Sequence, residues 1–137
     1  MRGTYITRML TGLLSSAHND AESFIFSHML EDHARHLTYG YDHLKYAATH
    51  HEGSIAIMRT LLTIGEVHMA NELKDGVVRS AMAIIFGGGI EGGRTHGMER
   101  YLLLVREFLE DYLALCRWLG IDREETLHPM LKSYLKD

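Results

Sequence analysis

At 137 residues the chain has room for one domain with a core, and 46% hydrophobic residues with a single proline suit long, uninterrupted helices, so one all-α domain over residues 1–137 is expected. A net charge of -4 with neutral histidines, and no segment rich in lysine and arginine, argues against a nucleic-acid partner. Cys116 is the only cysteine, which excludes an intrachain disulfide and a thiolate-held metal cluster.

The first helix is expected from about Thr4 to Ala17, where Tyr5, Met9 and Leu13 recur at helical spacing beside Leu10 and Leu14. Thr11 and Gly12 break this stretch too much for a secretory signal, and no apolar run in the chain is long enough to span a bilayer. The expectation is a soluble, cytoplasmic protein with no membrane partner. His18-Asn19-Asp20 offers a break, and Asn19 or Asp20 can cap a second helix that runs to about His50. Gly40 interrupts its interior, where glycine costs about 1 kcal/mol relative to alanine, so another backbone is expected to pack closely there.

After the turn His51-Glu52-Gly53, Ser54 is expected to cap a third helix that reaches Lys74, with Ile55, Met58, Leu61, Leu62, Met69 and Leu73 on its apolar stripe. Asp75-Gly76 marks a corner, followed by a short, strongly apolar helix from Val77 to Gly87. The segment Gly87 to Gly97 holds six glycines but lacks a preceding strand and a following lysine, so it fits a hinge or a close helix crossing better than a phosphate loop. Met98 to Leu119 is the clearest core helix, with Tyr101, Val105, Phe108, Tyr112 and Cys116 on one broad face and Gly120 as its cap. Asp122 with Glu125 resembles a capping box, and Pro129 limits or restarts a last helix that ends near Leu135.

The candidate chemistry is concentrated in Glu31-Asp32-His33-Ala34-Arg35-His36. His33 and His36 stand three residues apart and Asp32 and His36 four apart, so one helical face can offer all three to a cation or a proton. Glu66, next to the apolar stripe of the third helix, is the candidate to complete a two-histidine, one-carboxylate set from another element. The competing reading is a salt-bridged network of Asp32, His33, Arg35 and His36 where helices cross. His68 with Glu72 is read as a solvated pair, and His50, His51, His96 and His128 as exposed.

Asp32-His33-Ala34-Arg35-His36, followed by Gly40, resembles the Asp-Glu-x-Arg-His-x-x-x-Gly pattern on the last metal-bearing helix of ferritin-like diiron-carboxylate proteins. The resemblance covers Asp20 to Leu44 and places the family's liganding histidine on His36 and its liganding glutamate on His33, a departure because imidazole cannot bridge two irons as a carboxylate does. It implies a ferritin-like helical bundle, iron or another transition metal at His36, His33, Asp32 and Glu66, and a non-haem iron oxidoreductase whose substrate is unknown. The alternative is a non-catalytic helical homodimer that keeps the fold without a working metal site. A third reading is a helical bundle with an adaptable Met- and Tyr-lined pocket for a small molecule. Two or three long amphipathic helices leave more apolar surface than one subunit covers, so a homodimer is expected to complete or extend the bundle.

Overall fold

A computed structural model describes residues 1–136. It is an all-α bundle of α1 (Arg2–Ser15), α2 (Asp20–His50), α3 (Ser54–Lys74), α4 (Gly76–Gly87), α5 (Ile90–Gly92), a π-helical turn over Gly93–Gly97, α6 (Met98–Trp118) and α7 (Pro129–Ser133). Caps explain several of these bounds. Asn19 accepts a hydrogen bond from the Glu22 amide at the start of α2, and Asp75 accepts from Val77 and Val78 at the start of α4. Ser54 is not a cap but the first residue of α3: left-handed Gly53, with φ 81°, supplies the turn before it. The close of α6 follows the expectation for Gly120, whose φ of +81° lets the Ile121 amide reach the Cys116 carbonyl. Asp122, by contrast, starts no helix, because its carboxylate closes a local turn on the Glu124 amide.

α6 is the axis of the core. Tyr101, Val105, Phe108, Leu109 and Tyr112 along it are almost wholly buried, and Met69 and Leu73 of α3, Phe86 of α4, Tyr5 of α1 and Leu131 of α7 pack around them. A smaller cluster of Met58, Leu119 and Ile121 anchors the α2–α3 corner against Ala47 and Ala48. Tyr5 of α1 meets Phe108 edge-on at 5.3 Å, and Arg8 grips Asp111 with two nitrogens at 2.6 and 2.9 Å.

The glycine-rich segment opens with a turn at Gly88 and Gly89, whose φ values are 72° and 129°, and the helical run that resumes at Ile90 crosses α4 closely. A Cβ on Gly97 would lie 1.9 Å from the Ala83 carbonyl oxygen and one on Gly92 1.8 Å from that of Gly87, so α4 and the run into α6 touch backbone to backbone. Gly40 behaves in the opposite way. Apart from its own helix backbone, no described residue comes within 4 Å of the position its Cβ would take, so the expected close approach of a second backbone is absent among the described residues.

α2 is the least covered of the long helices. Its 31 residues extend for about 46 Å, whereas the 14-residue α1 beside it spans only about 21 Å. No residue of α2 is buried. Leu37 touches Gly3 of α1, and Lys45 reaches across to the Trp118 carbonyl, so one side of α2 is docked. The side turned away carries Ile25, Met29, Tyr39 and Tyr46, all exposed. No helix among the described residues is long and apolar enough to cross a membrane.

Candidate functional site

The four residues singled out in the sequence fall into three environments. Asp32 and His36 point outward from α2, with side chains 60% and 77% exposed and Oδ2 and Nε2 3.4 Å apart. Arg35 donates to the other Asp32 oxygen at 3.0 Å, so part of the anticipated salt-bridged network exists, but on an open face and not at a helix crossing. His33 leaves that group. Its ring is turned toward α1, with Nε2 3.0 Å from the Gly3 carbonyl oxygen, which ties α2 to α1. The period explains the division: residues three apart on an α-helix differ by about 60° in direction, and the border between the docked and free sides of α2 passes between His33 and His36.

Glu66 faces inward as its place beside the apolar stripe of α3 suggested, but into a filled site. Its side chain is 1% exposed, and both oxygens are taken. Tyr112 and Arg123 Nε donate to Oε1 at 2.7 and 2.9 Å, while an Arg123 terminal nitrogen and the His128 amide donate to Oε2 at 2.7 and 3.1 Å. Arg123 also donates to the Thr63 hydroxyl at 3.2 Å. This arrangement is a structural clamp: a buried carboxylate, matched by a guanidinium fork, joins α3 and α6 to the segment after Gly120. Carboxylate bonding holds the Arg123 guanidinium above its ordinary pKa, and burial followed by the hydrogen bond to Glu66 pushes the Tyr112 phenol far above the usual range. Burial also raises the Cys116 thiol, which leaves a packed side chain and not a reactive thiolate.

Sequence reasoning missed Arg123 and Tyr112 as the partners of Glu66, because they stand 57 and 46 residues away and no local spacing links them. It also passed over Glu125-Thr126-Leu127-His128, a Glu-x-x-His in the chain. That tetrad lies before α7, outside any helix, with Glu125 exposed and His128 Nδ1 buried without a hydrogen-bond partner, so it does not supply the helical ligand pair of a diiron site. His128 is therefore half-buried, contrary to the exposed position expected for it, and Glu72 pairs with Arg2 at 2.8 Å instead of with His68.

Among the described residues no group of three or more His, Cys, Asp and Glu side chains could hold a metal ion. The ligand set implied for a diiron centre does not fit the residues of one chain: Glu66 is saturated, His33 faces α1, and Asp32 with His36 provides two donors. No protein-family model, curated protein or solved structure matches this chain.

Other concave surfaces are shallow. Tyr39, Asp42, His43 and Tyr46 line a groove of about 430 Å³ along the free side of α2. Leu44 of α2 with Met58, Leu61 and Leu62 of α3 lines an almost wholly apolar cavity of about 200 Å³. α3 also exposes Ile57, Leu61 and Ile64.

Proposed function

We propose that the protein is a non-catalytic helical module that works as a homodimer, with the free side of α2 as its pairing surface. The observation that carries this reading is the row Ile25, Met29, Asp32, His36, Tyr39, His43 and Tyr46, spaced alternately by four and three residues along a helix with no buried residue. That spacing is the seam of a two-stranded coiled coil. Its apolar and aromatic members stand in water in the single chain, as Ile25 at 53% and Tyr39 at 69% exposure illustrate.

The polar members favour a second copy of the same chain in antiparallel orientation. Glu22 and Asp32 lie in the N-terminal half of the seam, while His36, His43 and His50 lie in the C-terminal half. Parallel pairing would set imidazole against imidazole, whereas antiparallel pairing sets acids against imidazoles and opposes the helix dipoles favourably. Light scattering on the eluted protein tests the reading. The expected result is a dimer for the native chain and a folded monomer for Ile25→Glu/Tyr39→Glu; a native monomer at tens of micromolar overturns it.

A ferritin-like metalloprotein is the second reading, supported by the outward Asp32–His36 pair, two adjacent donors on an open face. Because the diiron set does not fit one chain, iron chemistry would depend on donors from another subunit.

A further inference from the structure

We infer that pairing of two α2 helices builds a divalent-cation site on the molecular two-fold axis, from Asp32 and His36 of each protomer. The inference rests on the homodimer reading and adds a ligand to its seam. Within one chain, Asp32 Oδ2 and His36 Nε2 lie 3.4 Å apart, and both side chains are more than half exposed. Arg35 holds the other carboxylate oxygen at 3.0 Å, which orients the carboxylate and leaves Oδ2 turned toward the imidazole. No other described element covers the pair. These two donors are half of a tetrahedral shell.

Antiparallel seams interlock only in certain registers, and the one centred on residue 34 keeps nearly all of α2, Asp20–His50, in contact with its copy. In that register Met29 meets the partner's Tyr39, His43 meets the partner's Ile25, and on the flank His28 approaches the partner's Asp42. Asp32 meets the partner's His36 and, by symmetry, His36 meets the partner's Asp32. Two carboxylates and two imidazoles then converge at the axis. Without a cation, the two carboxylates repel one another in a seam that excludes much of the water. A divalent cation removes that repulsion, and an equal mixture of imidazole and carboxylate donors suits zinc-like ions rather than magnesium or calcium, which take mainly oxygen ligands.

The test uses the full chain without a histidine tag, stripped with a chelator and titrated with zinc chloride while heat and sedimentation are recorded. Expected results are about one zinc ion per dimer, a tighter dimer with zinc and no response to magnesium. Asp32→Ala and His36→Ala, both at exposed positions, should each weaken zinc binding by at least about tenfold, while His68→Ala, at an exposed position on α3 outside the seam, leaves it unchanged. Far-UV circular dichroism confirms that the variants remain folded. Met29→Cys/Tyr39→Cys should oxidise to a disulfide-linked dimer, whereas Met29→Cys alone should not; native Cys116 is buried and does not compete. A chelator-stable dimer that takes up no zinc overturns this inference and leaves the homodimer standing. Zinc uptake insensitive to both alanine variants, or failure of the double-cysteine variant to cross-link, also overturns it. A monomer with and without zinc overturns both readings.

Discussion

At the scale of single residues, the molecule invests its buried charge in structure. Removing Arg123 as Arg123→Ala would leave Glu66 buried and unmatched, so the chain should lose about 3–5 kcal/mol of unfolding free energy in urea denaturation. Glu66→Met/Arg123→Met, which removes both charges, should recover much of that loss. Tyr112 supplies a pH dependence: a phenol whose folded pKa is raised retains its proton in the native state after the unfolded chain has lost it. Its contribution is therefore complete below about pH 10 and declines as pH rises above that value toward the higher folded pKa. Ultraviolet titration should show Tyr112 and Tyr101, both almost wholly buried, ionising only as the protein unfolds, and Tyr112→Phe should make alkaline unfolding less steep. The inward position of Glu66 was legible from its place on the α3 stripe. Its partners were not, because long-range packing brought them together. His33 and His36 teach the converse: adjacent on a helical wheel, they fall on opposite sides of a packing border that only α1 defines.

At the scale of elements, two glycines separate packing from propensity. Gly97→Ala would force a methyl into the Ala83 carbonyl and part α4 from the run into α6, at a cost of about 3 kcal/mol or more. Gly40→Ala meets open space inside α2 and should raise stability by about 0.5–1 kcal/mol. Thermal unfolding of the pair reads both signs in one experiment. Most helices were legible because their signals are local: the Asn19 cap, the Asp75-Gly76 corner and the broad apolar face of α6. The Asp122–Glu125 start was misread since an aspartate that bonds an amide two residues on makes a turn as readily as a cap. The glycine run could be read as a hinge or a crossing, and the Gly87–Gly92 and Ala83–Gly97 contacts decide for the crossing.

At the scale of the whole molecule, core and surface are unevenly shared. α6 buries one broad face along its whole length, while α2, the longest helix, touches the bundle along one edge and turns Ile25, Met29, Tyr39 and Tyr46 to solvent. The all-α class and the excess of apolar helix surface could both be read from periodicity. Which face stays free could not, since it depends on how far the shorter α1 extends along α2. Spin labels on His50→Cys, with a dipolar distance measured between protomers, test the proposed pairing most directly, because native Cys116 is buried and unlabelled. Antiparallel pairing centred on residue 34 sets the two labels about 48 Å apart along the helix axis. A separation near 20 Å or less would mean parallel pairing, and the absence of any dipolar signal at concentrations of tens of micromolar would mean that α2 does not pair at all; either result contradicts the account.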